Sequence, residues 1–211
     1  SPGTLSLAAA DSITELGQDP DSDLEAPRIA LLARSGIGTA ANSIELGTDP
    51  VTLAAVTQTG GINLNSFAET LISDVAGVTG LQVTDASLQS PGSIRVSSPR
   101  MITIESSVLN ASGGDLELLS GDHLRVQPGT AISTAGQGNI LLAAGTRPPG
   151  STVTSSGSLT LSPNTLVASQ HGSITLTAAA SVSLFRVQSL DGDITVKAAV
   201  GNSDGRLSGD L

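Results

Sequence analysis

The sequence predicts an all-β fold, a right-handed parallel β-helix of roughly ten coils of about 20 residues each. Apolar and polar side chains alternate in short segments, the pattern of strands with one buried face. The phrase Gly172-Ser173-Ile174-Thr175-Leu176 returns 20 residues later as Gly192-Asp193-Ile194-Thr195-Val196. The chain has no Trp, Tyr or Cys and only two Phe. Such a composition suits a narrow interior of stacked aliphatic side chains better than a core filled by aromatic rings.

The repeat is clearest in the second half of the chain. A Gly-x-aliphatic-x-aliphatic opening occurs at residues 92–96, 114–118, 138–142, 157–161, 172–176 and 192–196. These openings lie 22, 24, 19, 15 and 20 residues apart, which predicts corner loops of different length. Ten residues into three of the units stand the alternating pairs Ile102/Ile104, Leu124/Val126 and Val182/Leu184, which predict a second strand in each coil.

Three segments follow from this pattern. Residues 1–27 form an irregular or first-coil segment with an acidic loop, residues 28–200 hold the β-helix repeats, and residues 201–211 are a polar, glycine-rich tail. Residues 66–90 are the least regular part, where one stretch has helical spacing but glycines and the alternation Leu81-Gln82-Val83 favour further strands. Arg147-Pro148-Pro149-Gly150 predicts an outlying loop, because proline cannot sit inside a central ladder.

Charge and hydropathy exclude several classes of function. The formal net charge of −10 argues against nucleic acid as a partner, since that binding depends on Lys and Arg neutralising phosphates. No apolar run approaches the ~20 residues that span a bilayer, so we predict no membrane span. Without Cys there is no disulfide and no thiolate metal site. The chain begins at Ser1 and its only Met is Met101, so we expect an internal piece of a longer protein.

The six openings resemble the filamentous-haemagglutinin-like repeats of very large bacterial surface proteins, which are right-handed parallel β-helices. The text IALLARSGIGT at 29–39 and the phrase Gly60-Gly61-Ile62-Asn63-Leu64 are similar to such repeats, so the resemblance covers most of residues 28–200. It implies secretion to the bacterial cell surface, an adhesive or stalk role, and a host-surface or extracellular-matrix partner. Asn-Pro-rich motifs of the family's amino-terminal secretion domain have no match here, which places the chain in the repetitive shaft, beside neighbouring repeats of the same long chain.

An acidic run offers the one candidate metal site. Asp19, Asp21, Asp23 and Glu25 stand at two-residue spacing, as carboxylates do at the start of a Ca²⁺ loop. Leu24 replaces the turn glycine of an EF-hand loop, and Ala30 stands where its bidentate glutamate would be. A solvated acidic loop is therefore the favoured alternative to Ca²⁺ binding. No other cofactor is predicted.

A second polar group lies in the repeats and raises the question of catalysis. Polysaccharide lyases of this fold act through carboxylate and arginine groups on one face of the β-helix. Sugar-binding grooves, however, favour aromatic platforms, and this chain has no Trp or Tyr. Aligning residue 92 with residue 114 also places Arg95 beside Glu117, as a plain ion pair between coils. We therefore predict that the chain is not an enzyme. The group consists of Asp115, Glu117, Asp122, His123 and Arg125, all predicted to point outward.

The histidines and threonines have simpler interpretations. His123 and His171 lack metal-ligand spacing and are expected at corners of the coil. Outward Thr175, Thr177 and Thr195 are similar to the ladders of ice-binding solenoids, but Arg95, Glu117 and Leu141 break the equivalent column.

The sequence thus favours a structural or adhesive shaft segment of a secreted bacterial surface protein. One alternative is a partner- or glycan-binding β-helix module that uses residues 66–90 and the loop at 147–150. A polysaccharide-active β-helix enzyme is the less favoured alternative.

Overall fold

The computed structural model describes residues 3–17, 19, 21–48, 50–87, 89, 91–146 and 156–198, and within these ranges every regular element is a β-strand. The first nine strands are β1 Thr4–Ala9, β2 Ser12–Ile13, β3 Arg28–Ala33, β4 Gly36–Ile37, β5 Ile44–Leu46, β6 Val51–Thr57, β7 Ile62–Ser66, β8 Thr70–Ile72 and β9 Leu81–Val83. The others are β10 Ile94–Ser98, β11 Ile102–Ile104, β12 Val108–Asn110, β13 Leu116–Ser120, β14 Leu124–Val126, β15 Ala131–Thr134, β16 Ile140–Ala144, β17 Leu159–Leu161, β18 Leu166–Ser169, β19 Ile174–Ala178, β20 Val182–Ser183, β21 Val187–Ser189 and β22 Ile194–Ala198. The all-β prediction is confirmed.

The strands form two large parallel sheets, which we call the wide sheet (13 strands) and the narrow sheet (9 strands). Along the narrow sheet the order is β2-β4-β7-β10-β13-β16-β19-β22, with β5 beside β7. The chain therefore leaves this sheet and returns one level further on each time, an arrangement compatible with a parallel β-helix. We call each circuit a coil, numbered 1 to 8 by these strands. The described residues thus hold eight coils, where the sequence predicted about ten.

The number of wide-sheet strands in each coil changes partway along the stack. β6 pairs along its length with β3 on one side, while on the other side its first half pairs with β8 and its second half with β9. Coils 1 to 3 therefore have one strand in the wide sheet, and coils 4 to 8 have two. The segment between β8 and β9 packs on the outer face of the wide sheet, where Val75 is buried against Ala30 and Ala54, and an antiparallel bridge from Val75 to Val78 closes it. Within 66–90, the residues that the structure describes hold strands and no helical turn, as the alternation predicted.

Aliphatic columns fill the space between the sheets. In the narrow sheet one column passes through Ile37, Ile62, Ile94, Leu116, Ile140 and Ile174, each fully or almost fully buried. Parallel strands stack about 4.8 Å apart, so each side chain contacts its equivalent in the next coil. Ile174 and Leu176 point inward as predicted. Ile194 and Val196 continue their columns by register but stay 45% and 43% exposed, because no later strand among the described residues covers them.

The repeated glycine has a steric origin. Within coils 4 to 8 the opening glycines lie one above another, and a Cβ on any of them would overlap backbone atoms of the preceding opening. None of them has a positive φ, so close approach and not backbone conformation excludes a side chain. These glycines are Gly92, Gly114, Gly138, Gly172 and Gly192.

A buried polar ladder runs beside the glycine stack. Asn110 Nδ2 donates to the carbonyl oxygens of Gly92 and Gly114, at 2.8 and 2.9 Å. Equivalent positions in later coils do the same: Thr134 Oγ1 donates to Gly114 O, and Ser169 Oγ to Gly138 O. The ladder satisfies carbonyl groups at the corner where the chain enters the narrow sheet.

One sequence assignment is wrong. The sequence predicts a further opening of the repeat at 157–161, but β17 pairs with β14 and β20 in the wide sheet, whereas the strands of the other five openings lie in the narrow sheet. The next narrow-sheet strand after β16 is β19, with Ile140 beside Ile174. Leu-x-Leu alternation is the same in both sheets, so the pattern alone could not separate them. The loop predicted at 147–150 and the tail at 201–211 lie outside the described residues.

Candidate functional site

The four carboxylates of the acidic run do not converge on one point. Asp19 Oδ1 accepts a hydrogen bond from the Asp21 amide at 3.0 Å, and Glu25 Oε1 accepts one from Ser22 Oγ at 2.6 Å. Asp23 faces the next coil, where its Oδ2 accepts from the Glu45 amide at 2.8 Å. Among the described residues, only Asp23 of these four belongs to a group of three carboxylates within ligand distance. Ca²⁺ binding by the run as a whole stays a prediction.

The group that does converge is Glu15, Asp23 and Glu45, and it follows from two interruptions of the narrow sheet. In coil 1 the chain leaves the sheet after β2 and returns at Leu24, which bridges to Leu46 in parallel. In coil 2 it leaves after β4 and returns at β5. Both excursions occur at the same level of the strand. The described residues of the first excursion (14–17, 19, 21 and 22) and residues 38–43 of the second therefore form two adjacent loops outside the core, which we call the covering loops.

Backbone pairing fixes the two carboxylates nearest the sheet. Because Leu24 bridges to Leu46, Asp23 is adjacent to Glu45 in register. The amides of Asp23 and Leu24 both donate to the Glu45 carbonyl oxygen at 3.0 Å. Asn42 Nδ2 donates to the Gly17 carbonyl oxygen, which joins the covering loops to each other. Glu15, two residues after β2, completes the group, and one oxygen from each carboxylate lies within 4.8 Å of the others.

The three carboxylates differ in burial: Glu45 is buried, Glu15 is half-buried and Asp23 is exposed. Glu45 is only 9% exposed although it points away from the core, because the covering loops lie over it. Its Oε1 accepts a hydrogen bond from Ser43 Oγ at 3.1 Å, while Glu45 Oε2 and Glu15 Oε2 are buried with no hydrogen-bond partner. Burial raises the pKa of Glu45, and the hydrogen bond with Asp23 and the negative charges of Asp23 and Glu15 raise it further. The arrangement can hold a proton or a hard cation.

Sequence reasoning identified Asp23 and missed Glu15 and Glu45. The acidic run is contiguous in the sequence, whereas the structure assembles residues from three separate segments. The available signal was the pair Asp23-Leu24 and Glu45-Leu46, an acidic residue before a leucine repeated 22 residues apart. That pair marks equivalent positions in successive coils.

The second predicted polar group spreads over two faces. Arg95 Nε lies 3.3 Å from Glu117 Oε2, which confirms the ion pair between coils. Asp115 Oδ1 accepts hydrogen bonds from the backbone and side chain of Asn139. Glu117 lies in the narrow sheet and Arg125 in the wide sheet, so these outward residues do not share one surface.

Both histidines lie between strands, as expected for corner residues: His123 directly precedes β14, and His171 lies at a bend after β18. His123 Nδ1 accepts a hydrogen bond from the Ser158 amide at 3.0 Å. His171 Nδ1 pairs with Asp191 Oδ2 at 2.5 Å. The predicted outward column is also confirmed in register, running through Arg95, Glu117, Leu141, Thr175 and Thr195.

A shallow groove of about 450 Å³ runs along the stack across coils 5 to 8. One wall is the outward column Leu109, Ser133, Ala168 and Gln188, and the other is the corner that leads to the narrow sheet.

The described part of the chain has no helix of the length and apolarity that a membrane crossing requires. No family model, curated protein or solved structure matches the chain. What the chain does must therefore be inferred from its own geometry.

Proposed function

We propose that this chain is a segment of a stiff shaft, a right-handed parallel β-helix of the filamentous-haemagglutinin-like kind, in a secreted bacterial surface protein. The supporting observation is a single hydrophobic cluster that extends from Ile29 to Ala178, with Leu5 and Leu7 packed against it at one end and Val187 at the other. One continuous core through stacked coils is what a spacer requires.

The pairing pattern explains why such a stack resists bending. Every coil is hydrogen-bonded to the next in both sheets, so a bend must lengthen ladder bonds on one side of the rod. At about 4.8 Å per level, eight coils extend for about 40 Å. Because Leu116 stacks directly on Ile94 and Ile140 on Leu116, further coils would lengthen the rod without requiring a new fold.

The outward surface also fits a spacer. Successive residues of one column are an arginine, a glutamate, a leucine and two threonines, at Arg95, Glu117, Leu141, Thr175 and Thr195. A periodic ligand would need a repeated side chain along this column. A spacer needs only a surface that stays in water while the inward column is preserved.

A register-matched deletion tests whether coils are interchangeable. Removing residues 116–139 joins Asp115 to Ile140 and excises one coil, since Leu116 and Ile140 occupy the same position in successive coils. The expected product folds, melts cooperatively by circular dichroism, and gives a rod about 5 Å shorter by small-angle scattering. Removing residues 116–127 is the control, because it excises half a coil and breaks the register. If the one-coil deletion is as damaged as this control, coils are not interchangeable and the spacer proposal fails.

Location on the cell surface needs a separate test. Antibodies raised against this chain are expected to label intact cells of the source organism, or to detect the chain in the culture medium. Labelling that requires lysis of the cells would contradict a surface shaft.

The groove beside Ser133 supports a second candidate function, binding of an extended glycan or peptide. A glycan and extracellular-matrix array tests it. Ser133→Glu should abolish any binding found, whereas Thr103→Glu, an outward residue of β11 away from the groove, should preserve it. Equal loss in both variants would place the binding elsewhere.

A further inference from the structure

Glu15, Asp23 and Glu45 present three carboxylates to one small space outside the core. One oxygen from each lies within 4.8 Å of the other two. Glu15 and Asp23 belong to coil 1, and Glu45 belongs to coil 2. A ligand held by all three would therefore join two successive coils.

The buried oxygens are an independent observation that points to a ligand. Glu45 is more than nine-tenths buried, and its Oε2 has no hydrogen-bond partner. Glu15 lies on the covering loop of coil 1, and its Oε2 is also buried without a partner. The ion pairs formed among the described residues join Arg95 to Glu117, His123 to Asp122 and His171 to Asp191, so none neutralises this cluster.

An ionised oxygen that is buried without a partner is strongly unfavourable, so the cluster requires a neutralising group. A proton shared between Asp23 and Glu45 is one solution, but it leaves Glu15 Oε2 unsatisfied. A cation at the centre of the three groups satisfies both orphaned oxygens at once. Carboxylate oxygens are hard ligands and select hard cations, of which Ca²⁺ and Mg²⁺ are the common ones.

The donor set favours Ca²⁺. Mg²⁺ demands near-ideal octahedral geometry, keeps several waters and is usually held by one or two carboxylates, whereas Ca²⁺ accepts a larger number of oxygen ligands in flexible geometry. Three carboxylates from two successive coils therefore suit Ca²⁺ better than Mg²⁺. We propose that Glu15, Asp23 and Glu45 bind a Ca²⁺ ion that fastens coil 1 to coil 2.

Calorimetry and thermal melting of the whole chain test this site with Ca²⁺ itself as the probe. The wild-type chain should bind one Ca²⁺ with Kd on the order of 10⁻⁴ to 10⁻³ M, the range of extracellular modules. Millimolar Ca²⁺ should raise Tm by roughly 5 °C over the chelated chain, and Mg²⁺ should have a smaller effect. The chain has no Trp or Tyr, so melting is followed by circular dichroism. No heat of binding and no Tm shift would overturn the proposal.

Charge-removing variants locate the ion. Glu45→Gln keeps the shape of the side chain and should weaken Ca²⁺ affinity at least ~10-fold, while the chelated variant melts at or above the wild-type temperature because a buried charge is gone. Glu15→Gln should also lose the Tm response to Ca²⁺. It replaces Glu45→Gln as the test variant if Glu45→Gln does not fold. In amide-resolved NMR spectra, Ca²⁺ should shift residues 14–24 and 39–46 and leave coils 5 to 7 unchanged.

The matched control is the double variant Asp19→Asn/Asp21→Asn, which removes two charges from the same loop outside the cluster. It should retain the full Tm response to Ca²⁺. Loss of the response in this variant, with retention in Glu45→Gln, would overturn the proposal and assign the ion to the acidic run at 19–25. These Ca²⁺ measurements do not test the proposed shaft. The register-matched deletion tests the shaft separately, because it leaves coils 1 and 2 intact.

Discussion

Two glutamates on the same sheet have opposite environments. Glu45 in coil 2 and Glu117 in coil 5 both point outward, each standing between two inward aliphatic residues of its narrow-sheet strand. The Glu117 side chain is 31% exposed and pairs with Arg95 in the adjacent coil. Glu45 is 9% exposed, pairs with no cation of the described chain, and faces two further carboxylates.

The difference arises from the loops that flank each coil. In coils 4 to 8 the narrow-sheet strand is unbroken, and the outward side chain of Glu117 is partly exposed to water. In coils 1 and 2 the strand is interrupted at one level, and the covering loops enclose the space above it. Alternation along a strand therefore determines which way a side chain points. Loop structure in neighbouring coils determines whether that side chain meets solvent.

The largest expected effect tests whether alternation alone decides burial in the regular coils. Leu176→Asp places an unpaired charge in a fully buried aliphatic column and should lower the free energy of unfolding by about 4 kcal/mol or more. Thr175→Asp, one residue away and pointing outward, should cost less than about 1 kcal/mol. Urea denaturation followed by circular dichroism measures both. Similar losses in the two variants would mean that burial in these coils does not follow alternation.

An intermediate effect is expected where the glycines stack. Gly172→Ala places a methyl group against the backbone of Gly138 in the preceding coil and should destabilise by about 1–3 kcal/mol. Gly3→Ala is the control, since a Cβ there meets nothing within 4 Å and its φ is not positive. Equal midpoints of urea denaturation for Gly172→Ala and wild type would show that the coils can separate locally and that the glycine is not a packing requirement.

The smallest expected effect concerns the exposed ion pair that contrasts with Glu45. A double-mutant cycle with Arg95→Gln and Glu117→Gln should give a coupling free energy of about 0–1 kcal/mol that decreases in high salt. Exposure explains the low value, because solvent screens the pair. A salt-independent coupling of several kcal/mol would mean that Glu117 is as dry as Glu45, and the contrast between the two coils would disappear.

Much of the regular region could be predicted because its signals are local. The alternation around Ile174 and Leu176, the glycine at each opening and the offset of about ten residues to a second strand all lie within one coil. Aligning the openings at 92 and 114 gave the correct register, including Arg95 beside Glu117. The phrase at 157–161 was misassigned because strands of both sheets share one pattern, and only pairing with β14 and β20 distinguishes them.

By itself the sequence determined the strand phase, the parallel stacking and the aliphatic character of the core, because these depend on spacing that any one coil carries. Tertiary structure alone decided that β6 would pair with two later strands, and that Glu15, Asp23 and Glu45 would meet. Both depend on how a residue in one coil aligns with a residue in another. That alignment is set by loop lengths between strands, and a loop of variable length leaves no periodic mark in the sequence.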